Sequence, residues 1–236
     1  MSIIYMIRHA QASFGKPDYD VLSDLGKRQA SILTDRFNQA GLDFDAIYAG
    51  LQLRHEQTLG AYLAGHAKTG GTVPPVHRTD AFNEYDSEKI LTAMIPFLIK
   101  EEPVFEVEVK EMTQDNRSFQ KVFEKVMSSW IKGTNRLAGL DTWKTYSDRV
   151  RVGIERIMDC EGAGKNVAVF TSGGPIAAAV QKALNLPDQD VLKLLWHIVN
   201  TSVTRFKYSG QRISLFGFND FSHLELAKDR RLITYR

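Results

Sequence analysis

Ile3-Ile4-Tyr5-Met6-Ile7-Arg8-His9-Ala10-Gln11-Ala12-Ser13 opens with five successive apolar or aromatic residues and ends on a guanidinium beside an imidazole. An unbroken run of this kind, bounded by polar residues, reads as a strand buried on both faces. Such strands belong to parallel sheets whose two surfaces are covered by helices. Arg8 offers a planar fork of donors suited to phosphate oxygens. A neutral His9 can serve as nucleophile or base near pH 7. The pair alone is also compatible with a surface arginine next to a hydrogen-bonded histidine, so the remainder of the chain has to decide.

Downstream segments alternate between the two periodicities. After the Gly/Pro/Asp-containing loop 14–18, residues 23–37 place Leu25, Gln29, Ile32, Leu33, Arg36 and Phe37 near one side of a helix. Ser23 or Asp24 can cap its start and Gly41 can end it. Residues 44–49 read as a second strand, Leu53 to about His66 as a second helix, and 76–80 as a third strand leading into Ala81-Phe82-Asn83-Glu84. Strand, helix, strand, helix, strand is the order of an α/β fold with a largely parallel sheet. The middle of the chain then turns mainly helical, with helices expected over 88–100, 114–131 and 142–160. Pro96 is expected to kink or end the first of these. Trp130 and Trp143 are expected to pack these helices together. Cys160 is expected in the core or at its boundary. The α/β pattern resumes with a strand over 166–170, a helix over 176–184, and two strands over 201–208 and 211–218 joined at Ser209-Gly210. The chain therefore reads as a single domain over 1–236 with a helical insertion at about 86–160.

Composition excludes several classes. The chain has 236 residues, 43% hydrophobic and 25% charged, which is ordinary for a globular protein and unlike a disordered one. A net charge of +2 without a dense Lys/Arg run gives no nucleic-acid footprint. Apolar stretches fall far short of a membrane span. The single cysteine permits neither an intramolecular disulfide nor a multi-thiolate metal site. No acidic or histidine cluster has metal-ligand spacing, so no cofactor is expected. Strand residues begin at position 3 with no basic leader, so a cleaved signal peptide is not expected and a cytoplasmic location is the default. Glu161-Gly162-Ala163-Gly164-Lys165 lacks the spacing and hydroxyl of a phosphate loop and precedes a strand instead of following one.

Loops beyond the carboxyl ends of parallel strands converge on one crevice. The first strand delivers Arg8 and His9, the second Arg54, the third Glu84, and the fourth Thr171-Ser172-Gly173-Gly174 at a helix N-terminus. Arg8 and Arg54 can clamp a phosphoryl group, with Ser172 and the following amide of Gly173 as further donors. His9 can attack phosphorus and carry the phosphoryl group. Glu84 can protonate the departing alkoxide and then deprotonate water.

On these residues the chain resembles the histidine phosphatase, or phosphoglycerate-mutase-like, superfamily. Tyr5-Met6-Ile7-Arg8-His9-Ala10 resembles its strand and Arg-His-Gly element, with Ala10 in place of the usual glycine. Leu22 to Ala30 resembles its Leu-Thr-x-x-Gly-x-x-Gln-Ala helix, and Leu51 to Thr58 its Ser-x-Leu-x-Arg-x-x-Gln-Thr element. Phe82-Asn83-Glu84 resembles the segment presenting the acid. Residues 200–204 and 218–224 resemble the terminal elements. The resemblance implies a three-layer α/β/α fold with a mostly parallel central sheet and divalent-metal-independent phosphoryl transfer through a phosphohistidine on His9. One departure stands out: Ser172 occupies the place where the family usually has a second histidine. Loss of a donor of this kind can cost roughly 3–4 kcal/mol of transition-state stabilisation. His55, one residue beyond Arg54, is expected to point roughly 100° away on the helix and to serve a structural or supporting role. His66, His77 and His197 carry no specific signal, and His223 near Asp220 suggests a terminal hydrogen-bond network.

The expected activity is phosphoric monoester hydrolysis, on a phosphorylated small molecule or another phosphomonoester. A mutase-like phosphotransferase and a catalytically silent phosphate-ligand-binding protein are the alternatives. Neither a nucleic-acid nor a membrane partner is implied, and homodimerisation is left open.

Overall fold

The computed structural model describes residues 1–13, 19–133 and 137–235; the expected loop 14–18 lies outside them. The opening run forms β1 (Ser2–Arg8), nearly all of it buried. There follow α1 (Asp24–Gln39), β2 (Ala46–Ala49), α2 (Leu53–Lys68) and β3 (Val76–Arg78). Ser23 caps α1 by accepting from the Gly26 amide. A 3-10 turn over Asp80–Phe82 then leads to α3 (Ser87–Glu101), α4 (Phe105–Glu111), α5 (Asn116–Lys132) and α6 (Trp143–Glu161). The sheet is rejoined by β4 (Asn166–Thr171), followed by α7 (Gly173–Leu184), α8 (Asp188–Leu195), β5 (Val203–Ser209), β6 (Arg212–Asp220) and α9 (Ser222–Leu226).

The six-stranded sheet has the order β3-β2-β4-β1-β5-β6. Its first four members run parallel, and β5 and β6 are antiparallel additions at one edge. Alternation along the strands sends side chains to two separate cores. Tyr5, Ile7, Ile47, Ala168 and Phe170 pack with Leu33 and Phe37 of α1 and Leu59 and Tyr62 of α2. Ile4, Met6, Val167 and Val169 face the opposite way, toward Ile154 and Ile157 of α6 and Ile176 and Val180 of α7. This is a three-layer α/β/α architecture.

Several expectations are corrected. Pro96 lies inside α3, which continues to Glu101 without ending there. α4 and α8 were not anticipated. Cys160, near the end of α6, is exposed and outside the core. Trp130 and Trp143 are both buried, in an edge-to-face contact with ring centroids 5.6 Å apart. α5 packs against α3, α4 and α8, and this helical group rises beside the carboxyl ends of the parallel strands.

Candidate active site

Arg8, His9, Arg54, Glu84 and Gly173 line one cavity of about 470 Å³. A broader depression of about 820 Å³ lies by the β5–β6 turn, lined by residues such as Met1, Lys207 and Arg212; none of the candidate site residues reaches it.

His9 follows β1 immediately, and its position is fixed mostly by backbone. Its amide donates to the Thr171 carbonyl at 2.7 Å, and its carbonyl accepts from Asn200 Nδ2 at 3.0 Å. The next residue, Thr201, donates its amide to the Arg8 carbonyl and adopts φ +60°, a left-handed conformation that β-branched residues seldom take. His9 Nδ1 lies 2.8 Å from the Ala10 carbonyl, which only a protonated Nδ1 can satisfy. Nε2 is thereby left with the free lone pair. Burial, reinforced by Arg54, Arg8 and His55, holds the imidazole well below the usual histidine pKa of 6.5. The ring is therefore neutral near pH 7.

The uncharged residues of the sequence motifs brace this segment. Thr58 Oγ1 accepts from the Ala10 amide at 3.0 Å, Gln29 Oε1 from Gln11 at 2.8 Å, and Gln57 Oε1 from Leu22 at 2.7 Å. Gly26 is required by close approach, because a Cβ there would collide with the Gln11 carbonyl.

Both arginines are held at their Nη groups. Arg8 Nη1 donates to the Ile198 carbonyl and Nη2 to the Tyr235 carbonyl, the latter at 2.9 Å. Arg54 Nη1 pairs with Asp20 Oδ1 at 2.5 Å, while Asp20 Oδ2 accepts from the Leu53 amide at 2.6 Å. Asp20 thus closes the start of α2 and aims its first arginine. The Nε groups of both arginines are buried without an acceptor. Two guanidiniums at one cavity offer the planar donor forks that suit an anion's oxygens.

Glu84 leaves the 3-10 turn with its amide on Gln52 Oε1, 2.9 Å away. Its Oε2 accepts from the Gly174 amide at 3.1 Å, and its Oε1 accepts from the Tyr146 hydroxyl at 3.2 Å. Burial raises its pKa above the usual 4.5, against the opposing pull of the Gly174 amide, Arg54 and Arg8. Glycine is obligatory at 174, since a Cβ there would strike Glu84 Oε1 and the Tyr146 hydroxyl.

A buried neutral imidazole, two guanidiniums and a carboxyl of raised pKa thus meet at one cavity, a combination whose chemistry suits phosphoryl transfer. The family model of the histidine phosphatase superfamily (branch 1) matches residues 4–103 and 98–221. The chain belongs to the histidine phosphatase superfamily. None of the curated proteins matches it in sequence. Among solved structures it is similar to a phosphoserine phosphatase mutant from Entamoeba histolytica in complex with phosphoserine. That similarity has TM-score 0.64 and 16% identity, covering 95% of this chain and 100% of the other. A phosphoglycerate mutase from Bacillus anthracis gives TM-score 0.65 at 16% identity, covering 97% of each chain. A mycobacterial glucosyl-3-phosphoglycerate phosphatase with inorganic phosphate gives 0.60 at 17%, covering 94% of this chain and 98% of the other. At such identities these likenesses establish the superfamily's fold. Among the described residues, no group of three or more His, Cys, Asp or Glu is placed to hold a metal ion. No described helix is long and apolar enough to cross a membrane.

Ser172 stands differently from expectation, and His55 has a defined neighbour. Ser172 was expected to donate to phosphate, yet it is fully buried and its Oγ lies 2.7 Å from His55 Nε2. Engaged there, it makes no side-chain cap on α7, and the Gly174 amide serves Glu84. Only Gly173 of that turn lines the cavity. His55 was expected to point away on the helix and to serve a structural or supporting role, and it does not line the cavity. Its ring is fully buried, with its centroid 5.7 Å from that of His9. Its Nδ1 lies against Gly50 without a well-aligned partner. Burial and the neighbouring Arg54 push its pKa down to about 3. A second imidazole therefore stands beside His9, supplied by α2. His223 forms the anticipated terminal contact through Thr201 Oγ1, at 3.0 Å.

Proposed function

We propose that this member of the histidine phosphatase superfamily is a phosphoric monoester hydrolase working through a phosphohistidine on His9. The observation that carries the proposal is the convergence of His9, Arg8, Arg54 and Glu84 on one cavity, with His9 Nδ1 committed to the Ala10 carbonyl. Arg8 and Arg54 hold the phosphoryl oxygens. The Nε2 lone pair of His9 attacks phosphorus as the P–O bond to the alcohol breaks. Glu84 gives its proton to the departing oxygen. Water, deprotonated by the resulting carboxylate, then attacks the phosphohistidine, releasing phosphate and regenerating neutral His9. The test is rapid mixing with a phosphomonoester in chelator, followed by a search for an acid-labile, base-stable phosphoenzyme. Product release without such a species overturns the covalent route. Phosphate binding without turnover establishes the silent binding protein, and phosphoryl return to a second alcohol establishes the mutase.

The pH dependence follows from the two environments. Phosphorylation needs neutral His9 and protonated Glu84. His9 is depressed below 6.5 and Glu84 elevated above 4.5, so the protonation limb lies on the acid side of ordinary histidine. Activity then falls as pH rises through the elevated Glu84 value. Glu84→Gln is expected to remove that alkaline limb and to slow ethyl phosphate by about 10²–10⁴-fold. The phosphorylation burst with p-nitrophenyl phosphate should survive, because nitrophenolate departs without a proton. Retention of the alkaline limb by the Gln variant would assign it to another group.

A further inference from the structure

The cavity does not end at the phosphate-binding residues. Beyond them its wall is built by Leu91 of α3, Phe119 and Phe123 of α5, Leu192 and Leu195 of α8, and Trp196. All six are half-buried, so each keeps apolar surface open to the cavity. Phe119 stacks on Phe123 at 5.7 Å, and Phe123 meets Trp196 edge-to-face at 5.5 Å. The aromatic wall is thus braced across two helices before any ligand arrives. Among the described residues, Arg8 and Arg54 are the only Lys or Arg lining the cavity, and both sit at its phosphate end. Glu88 is the charged side chain at the outer part, and it is acidic.

From this arrangement we infer that the substrates are phosphomonoesters of uncharged, apolar alcohols, aromatic ones foremost, and not phosphorylated carboxylic acids. The inference rests on the phosphatase reading of the same site. A substrate carboxylate placed against this wall would lose water and meet no lysine or arginine among the described residues, with Glu88 opposing it. An aromatic alcohol would meet π faces and aliphatic carbon, where edge-to-face and stacked contacts are available. The volume of about 470 Å³ lies within the range of small-molecule pockets and leaves room for a ring system beyond a phosphate.

The test compares alkyl esters, so that leaving-group reactivity is nearly constant: ethyl phosphate, 2-phenylethyl phosphate, O-phosphoserine and 3-phosphoglycerate. Added buried carbon changes kcat/KM by about 10-fold or more in an apolar pocket. We expect 2-phenylethyl phosphate to exceed each of the others by at least about 10-fold. Phe123→Ala and Trp196→Ala should each reduce its advantage over ethyl phosphate by about 10-fold. Vanadate inhibition is measured alongside to report the phosphate end alone. Equal or better turnover of O-phosphoserine or 3-phosphoglycerate, with vanadate still inhibiting, overturns the substrate class and leaves the phosphatase reading intact. Absence of turnover for every ester overturns the phosphatase reading. In that event, calorimetry with 2-phenylethylphosphonate and 3-phosphonopropionate still decides the wall's preference. The aromatic phosphonate should bind at least about 10-fold tighter, and equal affinities overturn the inference.

Discussion

His9→Ala is expected to abolish phosphoenzyme formation and to lower kcat for phosphomonoester hydrolysis by on the order of 10⁶-fold, the scale seen when a covalent nucleophile is removed. The reasoning is local. Nδ1 is committed to the Ala10 carbonyl, so Nε2 is the one ring nitrogen with a lone pair to offer. Burial keeps that lone pair unprotonated near pH 7. The backbone of His9 is tied to Thr171 and Asn200 independently of the ring, so truncation leaves the strand end in place. Arg8 is gripped by two main-chain carbonyls and Arg54 by Asp20, none of which touches the imidazole. The variant should therefore still bind inorganic phosphate, measured by calorimetry, with near-normal affinity. Loss of turnover with binding intact assigns His9 to the chemical step. Residual turnover within about tenfold of wild type, with a labelled protein still trapped, would move the nucleophile elsewhere.

The origin of these groups explains why some were visible in the sequence and others were not. Arg8-His9 is legible because the apolar run before it can only be a doubly covered strand, and the carboxyl end of such a strand faces the crevice. Ser23 is legible as a helix cap, and it accepts a first-turn amide as expected. Asp20 was missed because its partner Arg54 lies on another element and no local pattern links them. The carbonyls of Ile198 and Tyr235 that hold Arg8 have no side-chain signature at all. α4 escaped because Phe105-Glu106-Val107-Glu108-Val109 alternates as a strand would, over a helix of only 7 residues. For His55 the sequence shows the direction but not the neighbour. A turn of roughly 100° separates adjacent residues along a helix, so Arg54 and His55 meet different surroundings. Arg54 lines the cavity and His55 lies behind His9.

That placement leads to the second large effect. Placing a histidine in the β4–α7 turn by Ser172→His alone is expected to damage the protein. Position 172 is fully buried, and its neighbour at 2.7 Å is the His55 ring, itself fully buried. A second imidazole has no free volume, and overpacking of a tight core costs about 1–3 kcal/mol. For a chain of this size that lowers Tm by roughly 2–4 °C per kcal/mol, and the displaced ring presses on His9. His55→Ala alone is expected to be harmful in the opposite sense, leaving a void beside His9 and a buried Ser172 hydroxyl without its partner, at about 1–3 kcal/mol. Together the two changes should compensate, since the ring added at 172 occupies the space vacated at 55. A double-mutant cycle should then show a coupling of about 1–3 kcal/mol in stability, as expected for residues in direct contact. The burst rate should change likewise, with the double variant faster than either single one. Additive losses in both measurements would mean that the two positions do not share one imidazole's space, and that the ring beside His9 is packing alone. Recovery would show that an imidazole beside His9 can be supplied from α2 or from the β4–α7 turn, with Ser172 as the contact that holds the α2 ring in place.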